Sequence, residues 1–265
     1  MKSYDHYKTI RCERRGRVLT VILDRPDQLN ATDAVLHGEV SRIFHDVRHD
    51  DDADIIVLTG AGRAFSAGGD INWMQDGIDD PASFEATGRE ARDIVFSLLD
   101  LDKPIICMMN GHAIGLGATI ALLCDIIIAS DKAKIGDPHV SMGLVAGDGG
   151  AVIWPQHIGY AKAKYYLMTG EAMTATEAER IGLITKVVAH DTLASEVYGL
   201  AERLASGALK AINWTKVATT LQLKQAMHAS FDAGIAYETV SNVSADHREA
   251  VDAFRNKRTP KFTGR

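Results

Sequence analysis

Asp137-Pro-His139 opens a polar loop behind a short β-branched stretch, and Asp148 follows inside the turn Gly147-Asp-Gly-Gly150. A histidine with a carboxylate partner is a natural general base, because the carboxylate fixes the tautomer and stabilises the imidazolium. The same residues also suit an Asp-Pro turn, a loop histidine and an aspartate that caps the helix starting at Gly149. Two more glycine-rich turns leave apolar runs, Ala64-Phe-Ser-Ala-Gly-Gly-Asp70 and Gly115-Leu-Gly117. Glycine lets backbone N–H groups approach a ligand closely. Two of them aimed at one oxygen stabilise an enolate or a tetrahedral intermediate. Tight turns between packed elements are the alternative use. No G-x-x-x-x-G-K-[ST], G-x-G-x-x-G or G-x-S-x-G pattern occurs, which removes nucleotide fingerprints and a serine-hydrolase elbow. His45 and His49 have a metal-like i, i+4 spacing, but with Asp46 and Asp50 to Asp52 they read as a charged, solvated helix end. No metal site is expected. Met108, Met109 and Trp154 read as core.

These turns need strands and helices to place them. Arg17 to Asp24 is β-branched and stops before Pro26, which predicts a strand and a turn. Leu36, Val40, Ile43, Phe44 and Val47 fall at helical spacing. A second strand is expected over 54–59. The helix after it carries Ala91, Ile94, Val95, Leu98 and Leu99 on one stripe. The runs 104–109 and 125–129 are apolar throughout, as in strands buried on both faces. Gly111 to Gly117 lies between them and opens a short helix from Ala118 to Cys124. Strands alternating with helices predict an α/β layered fold. Beyond residue 150 the pattern turns helical. Thr174-Ala-Thr-Glu177 is a capping box, and Asp191 a candidate cap for a helix bearing Leu193, Val197, Leu200, Ala201 and Leu204. The expected division is a core over 1–200 and a helical region over 201–265, an appendage rather than a second domain.

The 265 residues are 46% apolar and 24% charged, within the range of an ordinary globular domain and outside that of disorder or coiled coil. No apolar run reaches the ~18–20 residues of a membrane span, and the first residues lack the apolar core of a secretory signal. A net charge of −6 argues against nucleic acid or an anionic membrane as the main partner. Cys12, Cys107 and Cys124 are odd in number, and two lie in apolar runs. They are expected to be reduced, in a cytoplasmic protein.

Val57-Leu-Thr-Gly60, Ala64 to Ile71, Lys103-Pro104, Asn110-Gly-His-Ala-Ile-Gly-Leu-Gly117 and Cys124-Asp125 together resemble the crotonase (enoyl-CoA hydratase/isomerase) superfamily. Leu23-Asp-Arg-Pro26, Leu29-Asn-Ala31, Leu167-Met-Thr-Gly170, Gly182-Leu183 and the tail from Ala253 to Arg258 extend the likeness nearly end to end. The resemblance implies a spiral of ββα units, with a C-terminal helical region that forms homotrimers or dimers of trimers. It implies an acyl-CoA substrate, with coenzyme A as part of that substrate and no separate cofactor, in fatty acid metabolism. The oxyanion hole falls on the N–H groups of Gly69 and Leu116. The CoA adenine is expected beside Ala64, Ser66, Ala67, Asp70 and Ile71, and its phosphates beside Arg25. Asn72 stands where relatives often carry lysine.

The two glutamates of the family's hydratases correspond to Thr119 and His139, so paired-glutamate addition of water is not available. His139 with Asp148 is expected to move protons instead. That pair also resembles the C–C-bond hydrolases of the superfamily, the β-diketone and oxocamphor type, in which Glu238 matches an acidic residue. Acyl-CoA hydration or isomerisation through an enolate is the leading expectation. A cofactor-independent hydrolase of a small diketone comes second. A non-catalytic scaffold is the third.

Overall fold

A strand covered on both faces by helices alternates between two cores rather than between core and water. In the computed structural model, which describes residues 2–265, the apolar runs behave in this way. The chain forms β1 (Ile10–Arg15), β2 (Val18–Leu23), α1 (Ala34–Arg48), β3 (Ile55–Gly60), α2 (Ile71–Asp79) and α3 (Pro81–Asp100). Next come β4 (Ile105–Met109), β5 (Ala113–Ile114), α4 (Leu116–Leu122), β6 (Ile126–Ser130) and β7 (Lys134–Gly136). The remainder is α5 (Gly150–Thr169), β8 (Met173–Thr174), α6 (Ala175–Arg180), β9 (Lys186–Val188), α7 (Leu193–Ala205), α8 (Leu209–Asn242) and α9 (Ala245–Arg255).

Six strands make one sheet in the order β1-β2-β3-β4-β6-β9, parallel except for the β1–β2 hairpin. Ile56 and Leu58 face the core filled by Leu36, Ile43 and Phe44 of α1 and Ile94 and Leu98 of α3. Ile55 and Val57 face the opposite core, with Val197 and Ala201 of α7. A smaller sheet, β5-β7-β8, stands beside the first. Every residue of α4 is buried, which explains a helix with no polar face.

Some local expectations are corrected. β1 was not anticipated, because its sequence alternates charged residues with apolar ones at a sheet edge. The helix after Gly115 starts at Leu116, two residues earlier than expected. Asp191 sits in a 3₁₀ turn over His190–Thr192, and Thr192 precedes α7. Thr174 does cap α6, its Oγ1 accepting from the Glu177 N–H at 3.2 Å. The three cysteines are free thiols. Among the described residues no helix is long and apolar enough to cross a membrane.

The C-terminal helices are tied to the core at specific points. Val145 N–H donates to Ser241 Oγ at 3.1 Å, Asn242 Nδ2 to the Gly77 carbonyl at 3.1 Å, and the His247 ring meets the Met142 carbonyl at 2.6 Å. These bonds hold α8 and α9 over the turns that leave the small sheet and over α2. A cavity of about 520 Å³ lies between them.

Candidate active site

The first wall of the cavity comes from two turns brought together by backbone pairing. Ser66 and Ala113 form a parallel bridge, with Ile114 N–H donating to the Ser66 carbonyl at 3.0 Å. On the other side, Thr32 pairs across Gly69, through Thr32 N–H to Gly68 O at 2.7 Å and Asp70 N–H to Thr32 O at 2.8 Å. Gly69 N–H and Leu116 N–H are left without a hydrogen-bond partner among the described residues, and both residues line the cavity. Leu116 is the first residue of α4, where an N–H has no intrahelical acceptor.

Ala67, Asp70 and Ile71 also line the cavity. Ala64 and Ser66 are buried behind it: the Ala64 carbonyl accepts from Asn30 Nδ2 at 2.9 Å, and Ser66 Oγ donates to the Asn30 carbonyl at 2.9 Å. Asp70 caps α2, its carboxylate accepting from Asn72 N–H at 2.9 Å. Arg25 lies outside the cavity wall. Its guanidinium meets Asp33 at 2.9 Å and Asp70 at 3.6 Å, and it donates to the Ala31 carbonyl. In the structure it braces the loop that carries Gly69.

The opposite wall holds the titratable cluster. Asp137 follows β7, and His139 begins a 3₁₀ turn over His139–Met142. The His139 Nδ1 is hydrogen-bonded to Asp137 Oδ1, and its Nε2 lies 3.6 Å from Asp148 Oδ2. Asp148 Oδ1 accepts from Thr119 Oγ1 and from Gly150 N–H, each at 3.3 Å. So Asp148 both supports the start of α5 and faces the imidazole. Gly150 admits the Asp137 carboxylate, since a Cβ there would lie 2.1 Å from Oδ2. Glu238 enters from α8, its Oε2 buried and without a partner among the described residues.

Burial alone would depress the His139 pKa. The negative charges of Asp137 and Asp148 and the bond to Asp137 outweigh it and hold the imidazole well above its usual value. Asp148 is pushed up by burial, against the pull of the imidazolium. Burial also lifts Glu238, to about 8, with the neighbouring carboxylates adding to the shift. These shifts favour an imidazolium at His139 and a protonated Glu238 near neutral pH. Asp137, His139 and Asp148 offer ligand atoms within 4.8 Å of one another. Both imidazole nitrogens already face carboxylates, so a cation would have to displace one of these pairings.

Gly69, Leu116, His139, Asp148 and Glu238 therefore meet at one cavity, drawn from five separate stretches of sequence. In the sequence Asp137 marks the start of a turn; the structure adds that it is the hydrogen-bond partner of His139 Nδ1. The spacing Asp-x-His was the available signal, because a side chain two residues back can reach both the His139 N–H and its ring.

A family model described as Enoyl-CoA hydratase/isomerase matches residues 13–265. A probable enoyl-CoA hydratase of Rhizobium meliloti is 37% identical over 261 residues, covering 98% of this chain and 99% of the relative. Among solved structures, an enoyl-CoA hydratase/isomerase from Mycobacterium paratuberculosis superposes with a TM-score of 0.90 at 35% identity, over 94% of this chain and 99% of the other. A β-diketone hydrolase from the cyanobacterium Anabaena, bound to (S)-3-oxocyclohexyl acetic acid, superposes at 0.84 with 28% identity, over 91% and 96%. The fold is thus the crotonase fold, as the glycine turns and their order implied. With the family match running through both turns, the acidic cluster and the C-terminal helices, the chain belongs to the enoyl-CoA hydratase/isomerase family.

Proposed function

We propose that this protein catalyses proton transfer next to the thioester carbonyl of an unsaturated acyl-CoA, as water addition or a double-bond shift through an enolate. The observation that carries this reading is the meeting, in one cavity, of two unpartnered N–H groups with the carboxyl groups of Asp148 and Glu238. The thioester oxygen rests against Gly69 and Leu116. Each donor of such a hole is worth ~3–4 kcal/mol as charge develops on the oxygen.

Asp148 is the proton acceptor. Its carboxylate faces the cavity, and its raised pKa makes it a stronger base than an ordinary aspartate. In hydration it takes a proton from water as the oxygen attacks the β-carbon. The enolate forms on the thioester, and Glu238, protonated near neutral pH, delivers a proton to the α-carbon. In the double-bond shift the same base removes a carbon-bound proton and the acid returns one elsewhere on the chain. His139 keeps the Asp148 carboxylate ionised and Asp137 keeps His139 protonated. The acid–base pair that Thr119 and His139 do not supply is thereby drawn from the loop before α5 and from α8.

A second reading is favoured by the histidine–carboxylate cluster and the likeness to the Anabaena β-diketone hydrolase. Here the cluster activates water for attack on a ketone, and the N–H pair holds the enolate released when the carbon–carbon bond breaks. The deciding experiment presents the purified protein with crotonyl-CoA and, separately, with cyclohexane-1,3-dione, both followed by absorbance. Loss of the enoyl-thioester band supports the first reading. Cleavage of the diketone alone replaces it with the second. A folded protein that turns over neither, and exchanges no α-proton of butyryl-CoA in deuterium oxide, overturns both.

A further inference from the structure

Among the buried residues of α1, with Leu36, Val40, Ile43 and Phe44, is the imidazole of His37, 2% exposed. A buried imidazole needs partners for its nitrogens. Nδ1 has one, Glu90 Oε2 of α3 at 2.7 Å. Nε2 has none among the described residues, and His37 lines the same cavity as Gly69 and His139. Its ring lies against Trp73 of α2, with centroids 5.1 Å apart. Met74, Phe84, Ala91 and Ile235 give the cavity apolar lining, with Ser83 and Thr87 of α3 also on its wall. A buried ring nitrogen left without a partner at such a wall fixes the orientation of a ligand and selects for it.

The place of His37 follows from backbone bonds. Thr32 pairs across Gly69, Asp33 caps α1, and His37 N–H donates to the Asp33 carbonyl at 2.9 Å. α1 therefore leaves directly from the pairing that holds Gly69, and His37 lines the cavity from its first turns.

We propose that His37, held by Glu90, is a specificity residue that hydrogen-bonds an oxygen substituent on the acyl group, so that the preferred substrates are oxygen-bearing acyl-CoA thioesters and not plain hydrocarbon ones. This rests on the acyl-CoA reading given above. A bond of Nδ1 to Glu90 whose only purpose was to join α1 to α3 would leave ligand preference untouched.

The test is calorimetric binding of unreactive saturated thioesters to the full chain: butyryl-, hexanoyl- and octanoyl-CoA, each beside its terminal-hydroxyl form. The unmodified protein is expected to bind at least one hydroxylated ester about tenfold more tightly than its parent. His37→Leu should bind the two alike, with parent affinity within about twofold of the original, and His37→Gln should keep part of the preference. If the leucine variant does not fold, His37→Met reads the same quantity. A preference that survives in the apolar variant, or no preference in the unmodified protein, overturns the proposal alone. Failure of every thioester to bind the unmodified protein overturns it together with the acyl-CoA reading.

Discussion

The His139 ring meets a carboxylate on each side, Asp137 at Nδ1 and Asp148 near Nε2. It therefore holds its proton where an isolated histidine would be losing it. In the proposed mechanism its contribution is electrostatic, and Asp148 is the base. His139→Ala should lower kcat about 10²-fold at neutral pH. Without the cation, the Asp148 carboxyl rises further and ionises later, so the acid limb of the pH–rate profile moves to higher pH. Loss of the acid limb in the variant would return the base role to histidine, and a limb left where it was would show that His139 does not tune Asp148. Glu238 gives a complementary expectation. With its carboxyl at about 8, kcat/KM should fall as pH rises through that value and the acid loses its proton. In Glu238→Gln the rate should be low by about 10²-fold and that limb absent. A limb that persists assigns it to another group. At this scale His139 and Asp148 were legible from their residue types and the glycines around them. Asp137 was less so, because Asp-Pro reads first as a turn. His37 and Glu90 could not be paired, since they lie on separate helices and meet only when α1 packs on α3.

The elements that aim these residues are short loops clamped by close backbone approach. Gly147 shows how little room there is: a Cβ at this position would lie 2.2 Å from the Gly234 carbonyl oxygen and 2.8 Å from the Glu238 Cβ. Gly147→Ala must push α8 away from the Asp148 loop, and the obstructing atoms include backbone that cannot rotate aside. The expected result is a loss of about 2 kcal/mol or more, the scale of overpacking at a tight contact, seen as a lower Tm. The kcat should fall more than KM rises, because the displaced helix carries the acid. An alanine variant of unchanged Tm and kcat would show that the loop and α8 are not coupled. The apolar runs over β4 and β6 and the stripe of α3 were readable because their periods are simple. The edge strand β1 was not, since its Cys-Glu-Arg-Arg stretch carries charge outward along a strand with one buried side. Nor could the sequence show that α8, about 50 Å long at 34 residues, crosses the cavity at Glu238. That depends on where its two ends are anchored.

Across the whole molecule, two properties follow from what is left exposed and what is buried. Trp214, Leu221, Tyr237 and Val240 of α8 and Tyr160 and Met168 of α5 are all more than half exposed. These side chains suit the trimer or dimer of trimers that the family resemblance implies, for which light scattering should give three or six times the 28.7 kDa chain mass. A monomer at micromolar concentration would rule this out. The buried cluster, in turn, links stability to pH. Glu238 binds its proton up to about 8 when folded, whereas an unfolded glutamate releases it near 4.3. Between those values the folded state holds a proton that the unfolded chain has lost, so stability falls as pH rises across that window. His139, raised above its usual value, adds a loss of the same sign at higher pH. Glu238→Gln removes the carboxyl contribution while Asp137, His139 and Asp148 remain. The difference in Tm between the unmodified protein and the variant should therefore move by several degrees against the unmodified protein from pH 5 to pH 8.5. Parallel melting curves over that range would mean that Glu238 is already ionised in the folded state. The role of proton donor would then pass to His139, the other group the fold keeps protonated near neutral pH.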